Sequence, residues 1–489
     1  MLGFNNKTQD KSKKPKKKGA ILVQIIVLTS LASMLITALA NWSAISLKTS
    51  RKEYYREIAI QIAEAGIDYY RWHLAHAPTD YKDGTQTNGP YVHNYYDKNG
   101  NILGTFSLDI TAPTTGSTNV KIRSTGKVSA DATISRKIEV AVAKPSLAKY
   151  AVITEKDVRF GEGTEIYGPV HSNGGIRFDG LAHNIVSSAL SNYNDPDHSG
   201  NVEYAVHTHL NSVDPYPPAT LPSRGDVFQT GRSFPVPAVD FAKFTNDLST
   251  LKTIAQSSGV YLSSSGKLGY HLVLKTNGTF DIYKVTQLVP VPQNCNSNSG
   301  QFGWGTWSIQ TETFVQNRAF PTNGIIFAED DIWVDGQINN ARLTVACGHF
   351  PENKGQETSI TVNNNLLYTY YDGRDSIGLI SQGNINAGLM SADVLRIDAA
   401  LIAKNDRVGR YYYQPSSGNK TNCSPYDTRD TITLYGMIAT NERYGFAYTD
   451  DTGYQIRNII YDANLLFSPP PNFPLTTDQY QIISWKEIK

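Results

Sequence analysis

Two short runs carry the residue types best able to hold a metal ion: Asp195-Pro196-Asp197-His198 and, nine residues on from His198, His207-Thr208-His209. Alternate residues of a strand share a face, so the imidazoles of His207 and His209 could close on one cation. No third ligand stands at a spacing that secures a site. The pattern therefore reads as a polar loop with solvated histidines, and no metal ligand, cofactor-binding residue or catalytic residue is assigned.

Paired carboxylates are the other candidates, because glycosidic bonds are cleaved between two of them. The visible groups are Asp330-Asp331 with Asp335, and Asp450-Asp451. Neighbours on a strand point to opposite faces, so adjacent aspartates cannot easily straddle one bond. Asp331 and Asp335 share a parity, but they sit inside a repeated turn-and-strand segment. No G-x-S-x-G, H-E-x-x-H or G-x-x-x-x-G-K-[ST] occurs, which removes the common hydrolase, zincin and nucleotide signatures. The expectation is a protein that is not an enzyme and needs no cofactor. Tyr411-Tyr412-Tyr413 and the group Tyr368, Tyr370 and Tyr371 could stack on sugar rings if exposed, which makes extracellular glycans a secondary partner. The three cysteines, Cys295, Cys347 and Cys423, are too few for a disulfide framework. Cys295 and Cys423 are best placed for a single bridge, the alternative being three unpaired thiols.

The elements that position these groups are mainly β. Gly168-Pro-Val170-His-Ser172-Asn173-Gly-Gly-Ile176 recurs as Gly324-Ile-Ile326-Phe-Ala328-Glu329-Asp-Asp-Ile332, with a shorter form at Gly378-Leu-Ile380-Ser-Gln382-Gly-Asn-Ile385. Leu401-Ile-Ala-Lys-Asn405 through Gly409 matches Met437-Ile-Ala-Thr-Asn441 through Gly445, displaced by 36 residues. Short strands divided by Gly/Asn turns and repeated along the chain predict stacked rungs of a right-handed parallel β-helix, the alternative being a β-sandwich. Rungs are expected over 145–213 and 321–489. Between them, 214–320 holds a proline-rich stretch, an amphipathic helix over 238–256 and a β-meander that could cap the open edge. The proline-rich C-terminal stretch, 445–489, is expected to wrap the last rungs.

Upstream, 78–144 alternates at Phe106, Leu108 and Ile110, at Val120 and Ile122, and at Ile138, Val140 and Val142, as a small antiparallel sheet does. Before it, Ala20 to Ala40 is free of charge and long enough, at ~1.5 Å per residue, to cross a ~30 Å hydrocarbon core. No proline interrupts the chain from Lys16 to Ala77. Ile58, Ile62, Ala65, Tyr69 and Trp72 continue a helical stripe beyond the apolar run, so 20–77 is read as one helix of ~87 Å. Residues 1–19 form a basic leader with seven lysines and one aspartate. Those lysines place the leader in the cytoplasm and everything after Asn41 outside. The net charge of +1 belongs to that leader, and no basic surface for nucleic acid remains.

Lys16-Lys17-Lys18-Gly19-Ala20 ahead of an apolar helix resembles the N-terminus of type IV pilin-like proteins. Ala63-Glu64-Ala65, and the sheet segments Val120–Gly126 and Arg136–Val142, resemble the PilX-type minor pilins. The resemblance implies cleavage between Gly19 and Ala20 by prepilin peptidase and assembly with other pilin-like subunits or pilus machinery. It departs at the fifth residue after the glycine, where the family usually has Glu and this chain has Gln24. An amide supplies no charge to a neighbour's amine, which favours an accessory position over the filament shaft. Ser30, Ser33, Thr37 and Asn41 recur on one face and could let helices approach closely, although any membrane helix holds some such residues. Two other fates remain open: an uncleaved anchor, and cleavage after Ala38-Leu39-Ala40 as a secretory signal.

Overall fold

The computed structural model describes residues 18–198, 200–241, 247–295 and 301–488; most of the basic leader, through Lys17, lies outside the described residues. The chain is mainly β with one long N-terminal helix, and it divides into two compact units. The first comprises residues up to Ile110, Ile122–Glu139 and Trp485 onward; the second comprises Thr111–Lys121 and Val140–Ser484.

In the first unit, α1 runs unbroken from Lys18 to His76. Residues 21–54 are exposed and only the later turns are buried. The helix docks on a five-stranded sheet ordered Tyr91–Tyr96, Ile102–Thr111, Val120–Val128, Asp131–Ala143 and Gln481–Ile488. That last strand was expected to wrap the rungs; it instead pairs beside Asp131–Ala143, and its end is tied there by the Arg136–Glu487 and Lys486–Glu139 ion pairs.

The docked face is rotated from the expected stripe. It consists of Ile58, Ala59, Ile62, Ala63, Ile67, Tyr70 and Leu74, whereas Trp72 is exposed. Ile58 and Ile62 belong to both faces, and the closest approach to the sheet is made by small residues. A Cβ on Gly126 would lie 2.1 Å from the Ala59 carbonyl oxygen and 2.6 Å from the Ala63 nitrogen, and one on Gly66 would meet Ser124 and Phe106. Helix and sheet touch backbone to backbone there. Gly126→Ala is therefore expected to cost about 1–3 kcal/mol by overpacking. Hydrogen exchange should show faster exchange over 58–74, and unchanged protection there would contradict this docking.

In the second unit, short strands stack in parallel and in register. One ladder runs Val260, Ile326, Val345, Leu379, Leu401, Ile438, Val152, Val170, Val186, each paired with the next and all buried. A second passes through Leu366, Ile397, Leu434, Ile459, Ile166 and Ala182. A third has Tyr270, Ile332, Ile360, Ile385 and Val408 in one stretch, and Val158, Ile176 and Val206 in another. Inward aliphatic side chains from these ladders form one core. Each fully buried Val, Ile or Leu contributes about 1.5–3 kcal/mol.

The spatial order of the rungs differs from the order along the chain. The chain enters the stack in its middle, at Val152–Thr154, and advances through Val170–Ser172 and Val186–Ser188. It restarts at the opposite end with Val260–Leu262 and advances in the same direction until Thr428–Thr440 pairs with Val152–Thr154. Helix α2, Asp247–Ser258, belongs to the return path. Its Leu248, Leu251 and Ala255 join the outward residues Ile325, Phe327, Ala346, Ile380 and Ile402 in a second buried cluster. The helix is shorter than the expected 238–256: Val239 and Phe241 pack on the same cluster from outside it, and 242–246 lie outside the described residues. Of the meander, Gly269–Leu274 pairs parallel with Ile332–Gln337 on one side and antiparallel with Thr279–Leu288 on the other, which in turn pairs with Ile309–Ala319. The proline run lies across the rungs, with Arg342 donating to the Ser468 carbonyl at 2.7 Å and Phe473 buried.

Candidate metal centre

The runs containing Asp195 and His207 meet through a hairpin. Asn192–Asn194 pairs antiparallel with Val202–Tyr204, placing Tyr193 opposite Glu203. Asp195 follows the first strand, and its Oδ1 accepts the Asp197 amide at 2.9 Å, which bends the hairpin tip and leaves Oδ2 free of that role. After Glu203 the chain enters the strand Val206–His207, which pairs with Ile176–Phe178. Asp179 then accepts the His209 amide at 2.8 Å and so fixes the second residue after the strand.

The result is a cluster of Asp195, Glu203, His207 and His209 whose ligand atoms all lie within 4.8 Å of one another. Asp195 is 4 % exposed, Glu203 4 % and His207 1 %. Glu203 is the centre: its Oε2 lies 2.5 Å from His207 Nε2 and 2.9 Å from His209 Nε2, and its Oε1 meets His198 Nδ1. His207 Nδ1 is 3.0 Å from the Tyr204 carbonyl, which can only accept, so Nδ1 carries a proton and Nε2 is the ring atom that faces the cluster. The approach of His207 Nε2 to Glu203 does not have the geometry of a hydrogen bond. His207 Nε2 and Asp195 Oδ2, 3.6 Å apart, are both buried without a hydrogen-bond partner.

Burial raises the proton affinity of Asp195, but His207, the Asp197 amide and Arg177 outweigh it and hold the carboxyl at about 2. Burial likewise opposes ionisation of Glu203, and the surrounding histidines again prevail, shifting it below the usual carboxylate range. The donors are thus two ionised carboxylates and two imidazoles. Solvated histidines in a polar loop do not describe this region. The residue that joins the two histidines and Asp195 is Glu203; the sequence signal for it is the Asp-Pro-Asp-His-Ser-Gly-Asn turn, which implies a hairpin without giving its register.

A groove of about 640 Å³ lies beside the cluster, lined among others by His209, Arg159, Arg177, Asp179, Arg443 and Tyr448. Most of these charges are already engaged: Arg177 donates to Asp179 at 2.7 Å, and Arg443 to Asp197.

The other sequence candidates do not converge. Asp330 accepts the Ser265 amide and hydroxyl, Asp331 accepts the Ser359 amide at 2.7 Å, and Asp450 accepts from Tyr412 and Thr452. Asp335 lies 3.3 Å from His271 Nε2, whose Nδ1 is 2.8 Å from Glu312. Burial opposes the charge on His271, but the two carboxylates overcome it and raise the ring to about 9. An unfolded histidine titrates near ~6.5. The stabilisation from this triad is therefore complete below that pH and is lost as pH rises through about 9. Between pH 6 and 10, wild-type protein should lose up to about 3 kcal/mol that His271→Gln does not lose. Equal slopes in urea unfolding across that range would refute the assignment.

Tyr368, Tyr411 and Tyr413 are core residues, and only Tyr371 of the two groups is well exposed, so the proposed sugar-stacking faces are mostly covered. Cys295 and Cys423 form a disulfide, and Cys347 is a free, buried member of a rung. Gly19 and Ala20 fall in the first turn of α1. Gln24, Ser30, Ser33, Thr37 and Asn41 are all exposed along it. The hydroxyls of Ser30, Ser33 and Thr37 donate to the carbonyls of Val27, Thr29 and Ser33, which satisfies them without a partner helix.

No protein-family model matches the chain, and no curated protein matches it. Among solved structures, the competence-associated pilin ComZ from Thermus thermophilus is similar over 89 % of this chain and 98 % of its own, with a TM-score of 0.31 and 12 % identity.

Proposed function

We propose that this chain is a pilin-like surface protein, anchored in a membrane or a pilus by α1, that displays a right-handed parallel β-helix outside the membrane. The observation that carries this reading is the continuity of α1 from Lys18 to His76, with an exposed apolar first half and a docked second half. Residues 21–40 present Ile, Leu, Val and Met outward all round, which in water would be a large unfavourable exposure and in lipid is the expected surface. The internally bonded hydroxyls of Ser30, Ser33 and Thr37 suit the same environment.

Prepilin peptidase would act between Gly19 and Ala20, and other pilin-like subunits would meet the face of Ser30, Ser33, Thr37 and Asn41. Gln24 withholds the charge that a regular shaft subunit uses. A β-rich body spanning 145–484 on each copy is too bulky to tile a thin shaft, so a tip or sparse position is expected. Quantifying the subunits of purified pili tests this: trace abundance agrees with the proposal, and dominance of the shaft contradicts it.

A further inference from the structure

We propose that Asp195, Glu203, His207 and His209 form a four-coordinate structural site for a zinc-class divalent cation. Two nitrogen and two carboxylate donors suit zinc and disfavour calcium or magnesium, which take oxygen ligands. His207 Nε2 and Asp195 Oδ2 are buried 3.6 Å apart, each without a hydrogen-bond partner among the described residues. An ion there supplies the partner that both lack. Tyr204's carbonyl, by holding the Nδ1 proton of His207, orients that ring as an outer-shell group does in metal sites. Two carboxylates neutralise a divalent charge, and four protein donors leave no open position for substrate, so the role is structural.

Ligands ~2.0–2.2 Å from one ion lie at most ~4.4 Å apart, so loading draws the cluster in slightly from its present spacing. The fold position gives the site its purpose. Val206–His207 is the edge strand of a three-stranded ladder with Ile176–Phe178 and Val158–Phe160. A cation bound to this strand, to the second residue after it and to both arms of the hairpin ties the hairpin to the edge strand of that ladder.

The test uses the full chain, purified in detergent, stripped with chelator, and titrated with zinc chloride, with metal content read by elemental analysis after dialysis. Wild-type protein should retain about one equivalent. Glu203→Gln and His209→Gln should each weaken binding by about a hundredfold or more, since losing even an outer-shell partner costs about 10–100-fold. Cobalt should give tetrahedral visible absorption bands in the wild type and in the control His183→Gln, and none in either ligand variant. Chelator should lower the melting midpoint of the wild type and leave that of His209→Gln unchanged. Should Glu203→Gln fail to fold, His209→Gln carries the test, because that side chain reaches the groove. Folded wild-type protein that takes up no zinc, or uptake unchanged in the ligand variants, overturns the assignment and leaves a hydrogen-bonded histidine network in its place.

Discussion

Removing the Cys295–Cys423 crosslink in a double serine variant is expected to lower stability by about 3–5 kcal/mol. The bridge closes a loop with a sequence separation of 128. In the chain-entropy account, long loops lose the most freedom in the unfolded state when closed, which is why the expected effect lies at the upper end. A second cause acts in the native state. Cys295 and Cys423 are buried with Leu389, Tyr411 and Tyr413 in a cluster flanked by Trp304 and Trp307, away from the main core. Cut from its tether, that lobe is held by its packing and by hydrogen bonds such as those that Trp333 and Asn363 donate to the Trp307 carbonyl. Denaturant unfolding of reduced and oxidised wild type alongside the double variant checks this. A loss under about 1 kcal/mol would mean that the lobe is held by packing alone.

Arg410→Ala should be about as damaging, at about 3–5 kcal/mol. The Arg410 side chain is fully buried at the end of the strand Val408–Arg410, with no carboxylate among its hydrogen-bond partners in the described residues. It donates to the Gly388 carbonyl at 2.8 Å, the Ser391 hydroxyl at 2.8 Å, the Leu389 carbonyl at 3.1 Å and the Tyr426 carbonyl. Its guanidinium lies 4.7 Å from the Tyr413 ring centroid. Truncation removes a donor from each of these carbonyls and opens a cavity at the same time. Arg429 also donates to the Leu389 carbonyl and the Ser391 amide to the Gly388 carbonyl, so those two keep a partner while the Tyr426 carbonyl loses the one Arg410 gives it. Because Arg410 and the disulfide organise the same cluster, the combined variant should lose less than the sum of the two. Strict additivity would show that the two features act on separate regions.

How far the architecture can be read from residues depends on whether the contact is local. Helix α1 is legible because its apolar run, lack of proline and later periodicity all lie in one segment. Its docked face is not legible in the helix alone because Gly126 admits Ala59 and Ala63 at close range, and that preference sits on the sheet. The Gly/Asn-punctuated repeats exposed the rungs, yet Leu401 pairs with Ile438 rather than with Met437. The displacement of 36 holds only at the next corner, where Gly409 bridges Gly445. The inward aliphatic residues set the register, and the turn absorbs the difference of one residue. Nothing local marks Val152 as the neighbour of Ile438, so entry at mid-stack could not be read from the repeats. Glu203 escaped notice for the same reason, since its place beside His207 and Asp195 exists only once the hairpin register is fixed.

The central claim is that α1 stays attached as the membrane half of a helix continuous with the ectodomain. It is tested most directly by sequencing the N-terminus of the native, membrane-extracted protein. The account predicts a start at Ala20, with residues 21–40 retained and the protein in the membrane or pilus fraction. A start at Asn41, in protein recovered from the soluble fraction, would contradict it.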